Sequence, residues 1–279
     1  PFPIHLRCNY RFRKYTAIEL MGKSNPSYGS GVFRRRLRWR AMVRKVEVEL
    51  EDSNHGFRLC LHHDGCRITD IAVDPVRYPF TTCPEASRAL ERIIGASLVD
   101  VVKLREWLPG GENCTHLVDM ALIAAAHAEE VGFDRLYDIA VADERAGVTH
   151  ARIECDGELL HEWLVRANLI ESPPSLAGRP LMRGFYLWAV QAFGGGEVLE
   201  AAQALQRGFF VAQARRYSYV PVERYPAITD GMPMGSCYSY NTGAVERALR
   251  ICGSVRDYSE GSERLLHFAA NLEPAAVAP

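Results

Sequence analysis

Two short segments of the sequence contain residues that can act as nucleophiles or bind a transition metal. Cys83 precedes Pro84 where a helix is expected to begin, and Cys114 is separated from His116 by a single residue. Unpaired backbone N–H groups at a helix start favour an anion, so we expect the pKa of Cys83 to be lowered toward neutrality. A thiolate at this position would serve as a nucleophile or as a metal ligand.

His116 has a candidate partner in Asp119, which follows it by three residues and lies on the same face of the expected helix. A carboxylate at this spacing would orient the imidazole ring. Asp52 and His55 lie in a turn between two expected strands, and such turns converge on neighbouring helix starts. The predicted metal ligands are therefore Asp52, His55, Cys83, Cys114 and His116. This mixed set of donors suits Zn²⁺ or another divalent transition metal.

Arginine greatly outnumbers lysine, and residues 34–45 are strongly basic. We interpret this run as an arm that meets a carboxylate, a phosphate or a partner subunit. Arg36 from the run, together with Arg256, is predicted to bind an anionic small-molecule substrate. The net charge of −1 gives no overall attraction to nucleic acid or to an anionic membrane. A partner subunit on this run would make the protein a homo-oligomer.

Composition and cysteine usage favour a cytoplasmic globular protein. Hydrophobic residues make up 48% of the 279 residues and charged residues 24%, which is ordinary globular usage. The 8 cysteines are scattered without a Cys-x-x-Cys pair, which argues against a disulfide framework and for a reducing compartment. No apolar stretch approaches the roughly 20 residues of a membrane span, and residues 1–10 contain no apolar signal-peptide region.

The pattern of apolar residues predicts an α+β fold in which an antiparallel meander packs against helices. Apolar and charged residues alternate at 46–51, the alternation recurs at 57–61, and a third strand is expected at 67–73. A helix is expected from Thr82, with Glu85 completing a capping box, to Gly95. A second helix is expected to run from Asn113 through Glu130, so the candidate thiol and imidazole groups lie at two helix starts.

The remainder of the chain predicts further strands and a helical C-terminal part. Strands are expected at 136–143, 149–155 and 159–165, and helices at 181–193, 197–216 and near 244–252. Pro173 and Pro174 mark a linker. We therefore predict a flexible N-terminal arm over 1–31, an α+β core with the candidate site over 32–172, and a helical, loop-rich portion over 173–279 that packs on the core.

Four segments resemble the motifs of a bacterial family of uncharacterised proteins. They are Phe-Thr-Thr-Cys-Pro-Glu-Ala at 80–86, Cys-Thr-His-Leu at 114–117, Gly-Ser-Cys-Tyr at 235–238 and Gly-Ser-Val-Arg-Asp-Tyr-Ser at 253–259. Phe80 stands where the family usually has Trp, and Tyr258 where it usually has Phe. The resemblance spans residues 33–266. It names no reaction and implies only that these segments belong together.

A second resemblance covers residues 44–130 and concerns architecture. The order of elements is similar to that of the NifU and SufE-type scaffold proteins. In this order three strands are followed by a cysteine that opens a helix, and then by a later helix with Cys and His near its start. By position, the resemblance implies a zinc ion or an iron–sulfur cluster at Asp52 or His55, Cys83, and Cys114 with His116. The chain lacks the first cysteine motif of that family.

These features lead to one preferred hypothesis and to alternatives from other classes. The preferred hypothesis is a metal-dependent lyase or hydrolase of bacterial catabolism that acts on a small organic or aromatic acid, because a bound metal polarises a carbonyl group or activates water. One alternative is an iron–sulfur or sulfur-transfer scaffold without catalysis. Another is a metal-free enzyme with Cys83 as nucleophile and His116 as its base. In a fourth interpretation the Cys and His residues only pack within a structural or binding protein.

Overall fold

The structure is a computed structural model that describes residues 23–98, 101–218, 226–230 and 232–268. Within these ranges the strands are β1 (Lys23–Ser24), β2 (Val32–Met42), β3 (Lys45–Asp52), β4 (Gly56–His63), β5 (Ile68–Arg77), β6 (Asp134–Ala142), β7 (Val148–Cys155), β8 (Glu158–Arg166), β9 (Leu169–Ser172) and β10 (Tyr217–Ser218). Eight of them form one antiparallel sheet in the order β5-β4-β3-β2-β6-β7-β8-β9, and β1 pairs with β10.

The helices connect or follow these strands. The α-helices are α1 (Val101–Trp107), α2 (Thr115–Ala126), α3 (Phe185–Phe193) and α4 (Gly196–Ala212). The 3-10 helices are Cys83–Ile93, Gly110–Glu112, Pro174–Leu176, Gln213–Arg216, Ala227–Asp230 and Tyr238–Tyr240. The predicted α+β class with an antiparallel sheet is confirmed. None of the described helices is both long and apolar enough to cross a lipid bilayer.

Most of the basic run lies in strand β2 at the centre of the sheet, whereas Arg44 lies in the following turn and Lys45 begins β3. The expectation of an arm is therefore wrong. Its residues alternate between a buried face, which includes Leu37 and Trp39, and a half-buried face that carries most of the arginines. Three arginines of the second face, Arg36, Arg38 and Arg40, pair with carboxylates on the neighbouring strands, as Arg38 does with Asp134 at 2.5 Å. Charge at every second position thus marks one face of a strand.

Helices α2 and α4 cover one face of the sheet. Helix α2 packs on β3 and β4, whereas α4 packs on β6, β7, β8 and β2. Leu50, Leu59, Tyr137 and Ile139 are at most 2% exposed beneath them. Burial of each such side chain contributes about 1.5–3 kcal/mol to stability. Helix α4 of the predicted C-terminal portion therefore shares the core of the sheet.

Several local expectations differ from the structure. Residues 83–93 form a 3-10 helix rather than an α-helix, and the capping box is absent because the Thr82 hydroxyl donates to Ser239 instead, at 2.9 Å. Glu85 pairs with Arg247.

The segment near 244–252 forms turns and β-bridges rather than a helix. Helix α1 was not predicted from the sequence. Of the predicted N-terminal arm, residues 1–22 lie outside the described residues, while β1 pairs with β10.

Gly208 allows α4 to approach the sheet closely. A Cβ atom at position 208 would lie 2.8 Å from Cγ2 of Ile139, a buried branched side chain that cannot move aside. We expect Gly208→Ala to cost about 1–3 kcal/mol by overpacking, partly offset by roughly 1 kcal/mol of helix propensity. In the Ile139→Ala background the same substitution should become stabilising. Urea unfolding of the four proteins checks this, and a destabilising effect of equal size in both backgrounds would contradict it.

Candidate metal and substrate site

The turn between β3 and β4 positions Asp52 and His55. One carboxylate oxygen of Asp52, Oδ1, accepts hydrogen bonds of 2.8 Å from the backbone N–H groups of Asn54 and His55. The same oxygen lies 3.1 Å from Nδ1 of the His55 ring. A short polar side chain that bonds the backbone two and three residues ahead closes a turn. Asp52, which is 0% exposed, thus fixes both the turn and the adjacent imidazole.

Arg77 holds this turn from the other side. Its guanidinium donates to the backbone carbonyl oxygens of Ser53 at 3.0 Å, His55 at 3.2 Å and Asp52 at 2.5 Å. It also donates to the carbonyl oxygen of Ser254 in the C-terminal loop, at 2.8 Å. Arg77 is 6% exposed, and its Nη1 and Nη2 atoms donate within the protein rather than to solvent. The turn is therefore clamped between a carboxylate and a guanidinium.

Arg35 joins the turn to helix α2. Its Nε and Nη2 atoms lie 3.0 and 2.6 Å from Oδ2 of Asp52, and Nη2 lies 2.9 Å from Nε2 of His116. A guanidinium can only donate, so Nε2 of His116 accepts and the ring proton is assigned to Nδ1. Nδ1 lies 3.8 Å from the sulfur of Cys114. His116 is therefore a neutral imidazole in this arrangement.

Asp52, His55 and His116 converge on one point. The two imidazole rings lie with their centroids 3.9 Å apart, and one ligand atom from each of the three residues lies within 4.8 Å of the others. Among the described residues this is the one group of three or more such donors that meets this distance. Two imidazoles and a carboxylate form a ligand set that divalent transition metals accept.

The protonation states of the cluster suit metal binding. Burial opposes ionisation of Asp52, but the charge of Arg35 and the contact with His55 hold the pKa of this carboxyl well below its usual range. Burial, together with His55 and Arg35, holds the pKa of His116 well below its usual range. A metal ion requires an ionised carboxylate and neutral imidazoles as ligands. The fold thus provides an ionised Asp52 and a neutral His116 near neutral pH.

The cysteines lie outside this group of ligand atoms. Cys83 belongs to a small apolar cluster with Phe80 and Tyr240, where its sulfur lies 3.4 Å from the Ser239 hydroxyl. Burial raises the pKa of Cys83 to about 12, so the expected lowering is wrong, because the surroundings of the 3-10 helix start are apolar. Burial also raises the pKa of Cys114. Neither thiol has the environment of a nucleophile.

Asp119 does not orient His116. Its carboxylate pairs with Arg207 of α4 at 2.9 Å, while the ring nitrogens of His116 contact Arg35 and Cys114. Helical spacing places Asp119 and His116 on related faces, but the Arg207 side chain arrives from 88 residues further along the chain. A long-range ion pair therefore takes the carboxylate that local spacing had assigned to the imidazole.

The two arginines predicted to bind substrate lie elsewhere. Arg36 is on the opposite face of β2 from Arg35, where it pairs with Asp138 at 2.9 Å. The Arg256 side chain donates to backbone oxygens of its own loop, and its backbone N–H donates to the carbonyl of Ser53 at 2.8 Å. The arginine at the cluster is Arg35. Arg35 falls at a position of β2 where the alternation of the sequence predicts a buried residue. This is the sequence feature that could have distinguished it from the other arginines.

A cavity of about 570 Å³ opens between α2, α4 and the sheet, and Arg35 forms part of its wall. Three arginines gather at the end nearest the cluster. Arg35 pairs with Asp52 and Arg207 pairs with Asp119. Arg105 also lines the cavity and lies 5.6 Å from the centre of the Tyr186 ring, with no carboxylate partner among the described residues. Arg105 is thus available to bind an anion.

The opposite end of the cavity is built around His127, which ends α2. Its Nδ1 lies 2.8 Å from Glu130 and its Nε2 lies 3.0 Å from Glu200 of α4. The Tyr137 hydroxyl donates to Glu200 at 2.9 Å. Burial opposes the charged form, but Glu200 and Glu130 outweigh it and raise the pKa of His127 to about 8. His127 is therefore an imidazolium that ties α2 to α4.

This ion-pair arrangement predicts a pH-dependent stability. The pKa of His127 is raised from 6.5 to about 8 in the folded protein, so its contribution of about 2 kcal/mol is fully present below pH 6.5. The contribution is lost as the pH rises through about 8. Urea unfolding between pH 6 and pH 9 should show that the free energy of unfolding declines with pH. In His127→Gln this decline should be smaller. A variant with the same decline as the native protein would exclude His127 as its source.

Comparison with known proteins adds one match. Residues 33–129 match the model of a family described as protein of unknown function, DUF2889. The matched segment runs from β2 to just beyond α2 and contains Arg35, Asp52, His55 and His116. The resemblance to an uncharacterised family is thereby confirmed for this segment. No curated protein and no solved structure matches the chain.

Proposed function

We propose that this protein is an enzyme that acts on a small organic acid, with a divalent transition metal held by Asp52, His55 and His116. The observation that supports it most directly is the convergence of these three ligand atoms within 4.8 Å of one another. A divalent metal in such a site polarises a carbonyl or lowers the pKa of bound water. Lyase and hydrolase reactions, the classes expected from the sequence, both use this chemistry.

Arg35 connects the metal ligands to the cavity. Its guanidinium lies 2.9 Å from Nε2 of His116, so it occupies the lone pair that a metal would need. Two unit charges of like sign 4 Å apart repel by about 4 kcal/mol at an effective dielectric constant of 20. Metal binding at Nε2 therefore requires Arg35 to turn away from His116. Since Arg35 lines the cavity, a displaced guanidinium would meet the anionic group of a substrate.

Metal titration tests the proposal. Calorimetry with Zn²⁺ and visible spectroscopy with Co²⁺ on protein purified without a tag should show one site per chain. His55→Ala and His116→Ala should each weaken binding at least tenfold. His150→Ala is a matched control, because His150 is a half-exposed imidazole that pairs with Glu162 at 2.9 Å. The proposal fails if no stoichiometric site is found, or if the two ligand variants bind metal like the control.

Arg35→Met supplies a second readout on the same site. Removal of the guanidinium leaves Asp52 without its cationic partner and frees Nε2 of His116. We therefore expect Arg35→Met to bind metal more tightly than the native protein. Weaker binding in a folded Arg35→Met protein would mean that Arg35 holds the ligands in place rather than competing with the metal.

A metal-free acid–base enzyme is the second candidate, and one observation favours it. Asp52 accepts from Nδ1 of His55, which leaves Nε2 of this ring as an acceptor, and the His55 side chain is 14% exposed. A carboxylate that orients an imidazole in this way supports general-base catalysis. Turnover that survives complete metal removal but is lost in His55→Ala would favour this candidate. The burial of Cys83 gives no support to the version with a cysteine nucleophile.

The iron–sulfur or sulfur-transfer scaffold remains an alternative with a simple spectroscopic test. Cys83 and Cys114 are both buried thiols, 8% and 7% exposed, and neither belongs to the group of converging ligand atoms. Protein purified without oxygen should be colourless under the enzyme proposal. A brown protein with iron–sulfur absorption that is lost in Cys83→Ser and Cys114→Ser would favour the scaffold.

A further inference from the structure

The cavity between α2 and α4 has a different chemical character at each end. The pair of Asp119 with Arg207 lies near one end, and the pair of His127 with Glu200 lies near the other. These two pairs show that α2 and α4 run antiparallel along the cavity. Strand β2 forms its floor from Arg35 to Leu37, and the Trp39 ring lies tilted against the His127 ring with the centroids 4.9 Å apart. Four residues of a strand span about 13 Å, which gives the distance between the two ends.

The end of the cavity nearest Asp52, His55 and His116 carries an excess of positive charge. Arg35 and Arg207 are each balanced by a carboxylate, from Asp52 and Asp119 respectively. Arg105 adds a third guanidinium that has no carboxylate partner among the described residues. A planar guanidinium binds a carboxylate through two parallel hydrogen bonds. This end is therefore suited to the carboxylate of a ligand.

The far end carries an excess of carboxylates. Glu130, Glu197 and Glu200 line it, together with the cations His127 and Arg135. Glu197 accepts from Arg135, and both Glu130 and Glu200 contact the His127 ring. Each carboxylate offers about four acceptor positions, so oxygen lone pairs remain for a further donor. An amine or hydroxyl group would find acceptors here, whereas a second carboxylate would be repelled.

The wall between the two ends is apolar. Leu37 and Ile139 rise from the sheet, Leu122 and Ile123 come from α2, and Leu199 comes from α4. Such side chains gain stability by contact with an apolar group and provide no partner for a polar one. A ligand of this cavity therefore needs a hydrocarbon body between its polar ends.

We infer that the substrate is an elongated organic acid whose carboxylate binds Arg105 and whose far end presents an amine or hydroxyl donor to the carboxylates around Glu200. This inference depends on the proposed function only in treating the ligand as a substrate. The acid end lies beside Arg35, which contacts both metal ligands Asp52 and His116. The bonds that react are then those near the carboxylate, and the donor end serves for recognition.

Ligand binding to the 279-residue chain tests the inference with a panel of rigid acids. The panel contains 4-hydroxybenzoate, 4-aminobenzoate, 4-hydroxyphenylpropanoate and 4-hydroxycinnamate. It also contains the counterparts without the hydroxyl or amine and the methyl esters. By calorimetry the longer acids should bind best. Loss of either polar end should weaken binding at least tenfold.

Variants at the two ends assign each polar contact. In Arg105→Met the acid and its methyl ester should bind alike, and in Glu200→Gln the compounds with and without the donor should bind alike. Glu197→Gln repeats the comparison of compounds with and without the donor. The Glu197 side chain is 42% exposed, so this substitution is less disruptive to folding than Glu200→Gln. Arg152→Met is the control, because Arg152 is 46% exposed on another strand and pairs with Glu154.

The outcomes separate this inference from the proposed function. The inference is overturned if no member of the panel binds with a Kd below 1 mM. It is also overturned if the affinities and their differences are unchanged in Arg105→Met, Glu197→Gln and Glu200→Gln. Metal titration of Arg105→Met and Glu200→Gln should match the native protein under either result. Loss of the metal site with ligand selectivity retained would overturn the proposed function alone.

Discussion

Asp52→Asn is expected to lower the free energy of unfolding by about 3–5 kcal/mol, because it leaves the charge of Arg35 buried without a partner. The Arg35 side chain is 3% exposed and that of Asp52 is 0% exposed, so water cannot replace the lost carboxylate. The amide oxygen of Asn can still accept from the backbone N–H groups of Asn54 and His55. The substitution thus removes the charge while it preserves the turn. Urea unfolding at pH 7 measures the effect.

A double variant separates loss of the pair from loss of one partner. Arg35→Met with Asp52→Asn removes both charges, and replacement of a buried ion pair by uncharged groups is often neutral. We expect the double variant to recover at least half of the stability that either single variant loses. Additive losses in the double variant, or a loss below about 1 kcal/mol in Asp52→Asn, would show that the pair does not behave as a buried one.

Arg77→Met is expected to have the second large effect, on stability and on metal binding together. Arg77 supplies donors to three carbonyl oxygens of the turn that carries Asp52 and His55, and it pairs with Glu51 at 3.1 Å. The Glu51 side chain is 1% exposed, so its charge would stay buried with less compensation, and we expect a cost of about 1–3 kcal/mol. Hydrogen bonds from Tyr258 and the backbone of Leu266 reduce that cost without removing it.

The same variant tests whether the turn positions the metal ligands. Arg77 contacts the backbone of Asp52 and His55 rather than their ligand atoms, so a tenfold weaker metal affinity in Arg77→Met would report positioning. Arg58→Met on the neighbouring strand is the control, since Arg58 is 48% exposed and its ion pairs are worth at most about 1 kcal/mol. An Arg77→Met protein as stable and as metal-competent as Arg58→Met would contradict the positioning role.

The part of the site that is readable from the sequence is the part made by neighbouring residues. Asp52 and His55 fall at a turn that follows a strand with clear alternation, and His116 falls at a helix start. Hairpin ends and helix starts converge in meander folds, so their meeting follows from local patterns. The structure brings the same three residues together.

The part that sequence reasoning missed depends on long-range packing. Cys83 has the spacing of a helix-start thiolate, but Ala227, Tyr240, Val245 and Ala248 enclose it in an apolar cluster that no local pattern reveals. In the sequence Arg35 is one charge in a basic run. In the structure β2 lies at the centre of the sheet and the Arg35 side chain is buried. Asp119 was assigned to His116 by helical spacing, whereas Arg207 reaches it from α4.

The cavity has the same long-range origin. One wall comes from α2 and the other from α4, which lies beyond the predicted linker at Pro173 and Pro174. Helix α4 can lie across β6, β7 and β8 because Gly208 offers no Cβ to meet Ile139. The sequence marks α4 as a helix. It does not specify that Glu200 of this helix meets His127 and that Arg207 meets Asp119.

Anomalous X-ray diffraction from crystals of the metal-loaded protein can show whether Asp52, His55 and His116 hold the metal. Data collected above and below the absorption edge of the metal locate it without reference to any assumed ligand. We expect a single strong peak bounded by the Asp52 carboxylate and the imidazoles of His55 and His116, with the Arg35 guanidinium turned away from Nε2 of His116. A peak at the cysteines, or a fully loaded protein with Arg35 still on His116 and no peak at this cluster, would contradict it.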